Sequence, residues 1–268
     1  MEKISVIIVN WNVAESFSRC IKSVLDTNYS NLELILIDNN SDKRPKIPQD
    51  PKVTYIQNKS NIGLPKAWNQ GIEIITGDYV LILNPDTRLP TDFFEKGLSL
   101  LKSDSKIGII GPKFTDPDGT PQGSVSHEIS VLNAIREFWL GQKGSFEKYI
   151  PIENLPLEVD TVSGACMFIP RSVIQKIGLF TEKVFMYYEE KDYCRRVRKA
   201  GLKVVFDPNV IIIHEHGQSA MQNPEVNKYI IQASKWYNGL VKYYILWFIM
   251  WTSQKFRKII AAILPHKP

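Results

Sequence analysis

Cysteine is scarce in this 268-residue chain: Cys20, Cys166 and Cys194 make an odd count, and no two share CxxC spacing. That pattern excludes a disulfide framework and a structural zinc, and it fits a reducing cytosol. The opening MEKISVIIVNWN runs straight into apolar residues, with neither a basic leader nor a small-residue cleavage site, so no signal peptide is expected. Internal repeats and low-complexity linkers are missing. Acidic residues also disappear near the end. From Val226 onward there are seven Lys/Arg (Lys228, Lys235, Lys242, Lys255, Arg257, Lys258 and Lys267) and no Asp or Glu. Subtracting them leaves 26 basic against 28 acidic residues in the first 225, so the net charge of +5 belongs to a tail. A nucleic-acid binder would spread its basic residues over the domain, so that class is set aside.

What remains is a globular composition, 44% apolar and 23% charged, long enough for one large α/β domain or two small ones. Short β-branched runs alternate with helix-period segments. Ile4–Val9, Leu32–Ile37, Val53–Ile56 and Tyr79–Leu83 read as strands; Ala14–Leu25 and Pro65–Ile75 read as helices. Strands apolar on both faces belong to a parallel sheet covered by helices, which predicts a doubly wound α/β fold. Such sheets bind ligands beyond the carboxyl ends of their strands. Polar residues gather there three times: Asn10 and Asn12, then Asp38 to Asp42, then Asn84-Pro85-Asp86. From Thr115 to about Pro156 the periodicity fades into a loop-rich insert with one helical piece near Leu132–Leu140. Order returns with Val159–Ile169, helices at Arg171–Ile177 and Glu190–Ala200, and strands at Lys203–Phe206 and Val210–Ile213.

Each polar cluster has a chemistry. A carboxylate just past a buried strand, Asp38, can accept the imide N–H of uracil or thymine, while Asn40 and its neighbours orient a ribose. Trp11 offers a flat face for stacking on that base, although a packed core aromatic or an Asx turn explains these residues singly. Asp86, held rigidly after an all-apolar strand, suits Mg²⁺ or Mn²⁺ if phosphate oxygens and water complete the shell. His214-Glu215-His216 follows another apolar strand, where i and i+2 share a face, and imidazole is a good ligand for Mn²⁺. Asn61 is expected to cap the helix that Pro65 starts. Glu189, Glu190 and Asp192 open a helix. Acids there favour the helix dipole, and Asp192 is spaced to pair with Arg195 and Arg196.

Seven segments carry a family resemblance: VIIVNWN, LILIDNNSD, NIGLPKAWNQGI, GDYVLILNPDT, SGACMFIPR, FMYYEEKDYCRRVRKAGLKVVFDP and HEHGQS. In this order, from about residue 3 to 219, the chain resembles inverting glycosyltransferase family two, of GT-A fold, and especially its rhamnosyltransferase-like branch. The resemblance implies that Asp38 reads the base and that Asp86 binds the metal, with Asn84 beside it. It implies that Asn61 and Gly63 lie on the donor side and that Gly164 lies under the donor sugar. The H-x-x-G-x-S pattern of His214, Gly217 and Ser219 implies metal or diphosphate contact by His214. Relatives typically have Glu-Asp where this chain has Glu189-Glu190, which implies Glu190 as the base, one methylene longer than usual; Glu189 and Asp192 are the alternatives. Trp68 stands where relatives often place Arg or Asn.

The expected reaction is transfer of a sugar, rhamnose favoured, from dTDP-rhamnose or a UDP-sugar to a glycan or polyprenyl-diphosphate-linked acceptor in cell-envelope polysaccharide synthesis. A sugar nucleotidyltransferase would need a Gly-rich, Lys/Arg-bearing loop after strand one, where this chain reads NWNVAES. A non-catalytic membrane-associated scaffold is the other rival. The expected division is a GT-A domain at 1–222 and a helical segment at 223–268. That segment holds three of the six tryptophans, and its uncharged run Tyr243–Gln254 is twelve residues, too short for a bilayer. Its basic and aromatic content predicts helices on a membrane surface, hence a cytoplasmic enzyme on the inner face of the cell membrane.

Overall fold

The computed structural model describes residues 1–215 and 224–263. Its centre is a ten-stranded sheet. Four parallel strands, β1 (Ile4–Asn10), β2 (Leu32–Asp38), β3 (Val53–Gln57) and β4 (Tyr79–Leu83), run in the order β3-β2-β1-β4. The sheet continues through β11 (Cys166–Pro170), β6 (Ile107–Thr115), β12 (Lys203–His214) and β5 (Thr87–Arg88). Two-residue strands fringe it, with β7 (Pro121–Gln122) on β6 and β9 (Leu157–Glu158) on β12. A separate pair joins β8 (Val125–Ser126) to β10 (Thr161–Val162).

Alternation along the strands builds two cores. Ile4, Val6 and Ile8 of β1 and Leu81 and Leu83 of β4 face one side. There α1 (Ala14–Leu25) contributes Phe17, Cys20, Ile21 and Val24, and α3 (Phe93–Ser103) contributes Phe94 and Leu98. Ile7, Val9, Val80 and Ile82 face the other side, covered by Trp68 of α2 (Leu64–Ile72), Val173 of α5 (Arg171–Ile177) and Tyr193 of α6 (Glu189–Lys199). Burial on both faces leaves only the strand ends for polar chemistry.

The structure differs from the sequence reading in four places. β11 runs antiparallel between β4 and β6, because strand periodicity reports faces and not direction. The run Val159–Ile169 is broken at Ser163-Gly164-Ala165 between β10 and β11. The two strands expected at 203–213 are one strand, with an irregularity between Asp207 and Ile211. Neither α3 nor β6 was anticipated, although Phe93, Phe94, Gly97, Leu98 and Leu101 mark a buried helical face.

The insert forms α4 (Val131–Phe138), N-capped by Ser130. The last helices, α7 (Val226–Asn238) and α8 (Leu240–Ile263), pack against it around Ile129, Ala134, Tyr237 and Leu246. Among the described residues no helix is long and apolar enough to cross a membrane. The boundary expected at 222/223 falls at residues 216–223, outside the described residues, as do His216, Gly217 and Ser219.

Candidate active site

One cavity of about 300 Å³ opens at the carboxyl ends of β1 and β4. Antiparallel pairing of β5 with β12 sets His214 opposite Thr87 and so next to Asp86. His214 Nε2 lies 3.6 Å from Asp86 Oδ1, and both residues are buried and line the cavity. Gln122 fixes the imidazole. Its Nε2 donates to the His214 carbonyl at 2.7 Å, which leaves Oε1 as the partner of His214 Nδ1 at 3.1 Å. Because Oε1 can only accept, Nδ1 carries the proton in the neutral ring and the Nε2 lone pair is on the side of Asp86. Glu215 points elsewhere: it accepts from Ser16 and Arg19, pinning the strand end onto α1.

The other chemical group of the cavity is the start of α6. Glu189 is buried, and its Oε2 has no hydrogen-bond partner among the described residues. Burial pushes its carboxyl well above the usual carboxylate range, and the charge of Glu190 adds to that; Lys148 offsets only part. Glu190 is half-buried and lies against Gly164, where an added Cβ would meet Glu190 Cβ at 3.3 Å and Trp68 Cη2 at 3.1 Å. A side chain there would press first on Trp68 and then on the Glu190 stem, and each would have to give by a few tenths of an ångström.

Of the residues expected in the site, Trp11, Asn61, Asn84, Asp86, Gly164, Glu189, Glu190 and His214 line the cavity. Asn10, Asn12, Asp38, Asn40, Gly63 and Asp192 do not. Asp38 is fully buried, accepting from Asn10 Nδ2 at 2.8 Å and from Ser41 Oγ at 2.5 Å. Asn12 bonds Asp42 through both ends of its amide, and Asn40 is exposed. Gly63, at φ 88°, is the N-cap of α2, so Asn61 is not the cap expected. Asn61 Oδ1 instead accepts from Gly63 N and from Asn39 Nδ2. Asp192 makes the i, i+4 pair that its spacing allowed: its carboxylate accepts from Arg196 Nε at 2.9 Å, one helical turn away.

Asn39, a member of the Asp38 to Asp42 cluster, lines the cavity and holds the loop before α2 through Asn61 Oδ1 and Ile62 N. Two contributors were not anticipated. Lys148, from the insert, lines the cavity and donates to Ser163 Oγ at 3.0 Å. Gln122 orients His214. Their partners are distant in sequence, and no local pattern announces them.

Among the described residues no three His, Cys, Asp or Glu side chains converge on one point. The pair in this cavity that could share a cation is one carboxylate, Asp86, and one imidazole, His214. A lone pair beside a carboxylate oxygen suits a divalent cation whose other ligands come from phosphate and water.

Residues 5–178 match the family model described as Glycosyl transferase family 2. The chain belongs to that family. As a family 2 glycosyltransferase it is 28% identical over 217 residues to the low-salt glycan biosynthesis hexosyltransferase Agl10 of Haloferax volcanii, covering 76% of this chain and 64% of that one. It is 25% identical over 242 residues to the N-acetylglucosaminyl-diphospho-decaprenol L-rhamnosyltransferase of Mycobacterium tuberculosis, covering 82% and 78%. Its fold is similar to that of GalNAc-T7 solved with UDP, GalNAc and Mn²⁺, with a TM-score of 0.64 at 16% identity, covering 89% of this chain and 49% of that one. The mannosyltransferase PcManGT of Pyrobaculum calidifontis, solved with GDP-Man and Mn²⁺, gives 0.60 at 14% identity, covering 99% and 76%. The fold is thus GT-A, as the motifs implied.

Proposed function

We propose that this glycosyltransferase is metal-assisted and inverting. It moves a sugar, rhamnose favoured, from dTDP-rhamnose or a UDP-hexose to a glycan or polyprenyl-diphosphate-linked hydroxyl in cell-envelope polysaccharide synthesis. The observation that carries this reading is one cavity holding both the Asp86–His214 pair and Glu190. Asp86 and His214 Nε2 would hold Mg²⁺ or Mn²⁺, which when bound neutralises charge growing on the diphosphate leaving group. Glu190 takes the proton of the acceptor hydroxyl as its oxygen attacks the anomeric carbon. The bond from that carbon to the diphosphate breaks on the opposite face, so a single base suffices. Burial pushes the Glu189 carboxyl well above the usual range, which favours its protonated form and makes it the poorer base of the two.

Trp11 provides a stacking face for the base, and Asp38 stiffens the neighbouring loop through Asn10 and Ser41. Lys148 is the one lysine or arginine among the described lining residues, and it suits a phosphate on the acceptor. The rhamnose preference, and a diphosphate-linked acceptor, rest on likeness to the mycobacterial relative. Residues 1–222 are the catalytic domain in this reading, and 223–268 attach it to the inner face of the membrane.

A thermal-shift panel of UDP, dTDP, GDP and their sugars, with and without Mn²⁺, tests it on wild type and Asp86→Asn. Stabilisation by one nucleotide class that needs Mn²⁺ and vanishes in Asp86→Asn is expected. Metal-independent stabilisation, equal in both proteins, would remove the metal site from the mechanism.

A further inference from the structure

The two residues before Glu189 have left-handed backbones, Tyr187 at φ 72° and Tyr188 at φ 69°. Neither is glycine, and a Cβ makes such conformations unfavourable, so contacts outside the turn must hold them. On one side Leu64 N donates to the Phe185 carbonyl at 2.8 Å. On the other, the ring of Tyr188 packs on the ring of Tyr237 in α7, with centroids 5.2 Å apart, in a cluster that includes Leu246 and Ile249 of α8. Tyr237 is itself clamped. Its hydroxyl donates to Glu128 Oε1 at 2.9 Å, and the Arg195 guanidinium lies 3.6 Å over its ring. Glu128 also accepts from Arg195 and Arg198 of α6. One residue of the tail thus touches both the turn that starts α6 and the body of that helix.

We propose that Tyr237 is a positioning residue: through Tyr188 it holds the strained turn so that Glu190 faces the cavity, which makes the C-terminal helices part of the reaction machinery. This rests on Glu190 as the base. The test compares Tyr237→Ala, Tyr237→Phe and Tyr188→Ala with Glu190→Gln. It reads kcat, donor KM, the pH profile and the melting shift given by UDP with Mn²⁺. Tyr237→Phe keeps the ring contact and should hold kcat within about fivefold of wild type. Tyr237→Ala should lose about ten- to hundredfold in kcat, as a slightly misplaced base would, with donor KM and the UDP shift unchanged and the acid limb of the pH profile displaced. Should Tyr237→Ala melt too low to assay, Tyr188→Ala removes the same ring contact while keeping a Cβ on the left-handed backbone, and it must show the same loss. Wild-type kcat in either variant overturns the proposal, as does an equal loss of donor binding, which would mean collapse of the whole cavity. An active Glu190→Gln sinks the base assignment and the proposal with it. An inactive Glu190→Gln beside a fully active Tyr237→Ala sinks the positioning alone.

Discussion

His214 Nε2 lies 3.6 Å from Asp86 Oδ1, and Gln122 keeps the ring nitrogen that faces the carboxylate unprotonated in the neutral imidazole. Two acceptors held together in a buried place invite a cation. His214→Ala should therefore weaken Mn²⁺-dependent nucleotide binding about tenfold or more, and Asp86→Asn should weaken it further. Gln122→Ala touches no ligand, but it frees the ring to rotate and to change tautomer. We expect it to cost about tenfold in Mn²⁺ affinity with nucleotide affinity in EDTA unchanged, as measured by calorimetry. Equal Mn²⁺ affinity in Gln122→Ala and wild type would show that the orientation of His214 does not matter.

Glu189 and Glu190 are adjacent carboxyls in different surroundings, the first buried and the second half-buried, and glutamine separates them. Gln is nearly isosteric with a neutral carboxyl, so Glu189→Gln should keep most activity. Glu190→Gln removes a general base and should lose about 10²- to 10⁴-fold in kcat. Stability responds as well. Burial raises the folded-state value of Glu189, with the charge of Glu190 adding to the rise. Between the ordinary carboxylate value and that raised one, the folded state binds more protons than the unfolded state, so this group's contribution falls as pH rises. Glu189→Gln abolishes that slope. Its melting temperature should gain on wild type from pH 5 upward, and a constant difference across pH would contradict a neutral Glu189.

Glu128 titrates with the opposite sign. Its burial works to raise the carboxyl, but bonds from Arg195, Tyr237 and Arg198 win and hold it at about 2. The stabilisation this gives is complete above the unfolded value of 4.5 and is lost as pH falls through the folded value of about 2. Glu128 is only half-buried and its pairs are partly solvated, so the effect is modest. Glu128→Gln should melt below wild type at pH 7, and the gap should close on acidification from pH 5 toward 3. A gap that widens in acid would assign the loss to packing.

The sheet was legible because its information is local. Ile4 to Val9, apart from Ser5, and Tyr79 to Leu83 are apolar throughout, and a strand with helices on both faces suits that pattern. The carboxyl-end polar residues were legible for the same reason, since any hydrophilic residue there stands out. What stayed hidden depends on long-range pairing. The antiparallel course of β11, the register that sets His214 opposite Thr87, and the reach of Lys148 to Ser163 join residues whose sequence separation carries no period. Asn61 was misread as a cap because Gly63, with φ 88°, starts the helix two residues later. Tyr187 and Tyr188 were hidden too: a left-handed tyrosine pair has no sequence signature, unlike a glycine.

The outward side of α8 carries the last prediction. Leu246 and Ser253 face α4, with Ser253 Oγ donating to the Phe138 carbonyl. The opposite side exposes Tyr244, Trp247, Phe248 and Trp251, and Trp139 of the insert stacks near Phe256 to extend the apolar surface. Lys255, Arg257 and Lys258 follow with no acid among them. At 24 residues α8 is about 36 Å long, enough to span a bilayer by length, but those charges and Lys242 make a transverse position unfavourable. A helix lying in the headgroup region satisfies both halves. Burying each aromatic ring there is worth about 1.5–3 kcal/mol, so Phe248→Ser with Trp251→Ser should weaken binding to phosphatidylglycerol vesicles by about a hundredfold or more. Raising salt should weaken the wild type less than this, because the lysines add only part of the attraction. Co-sedimentation measures both effects. Equal pelleting of wild type and the double variant would mean that this face does not meet lipid.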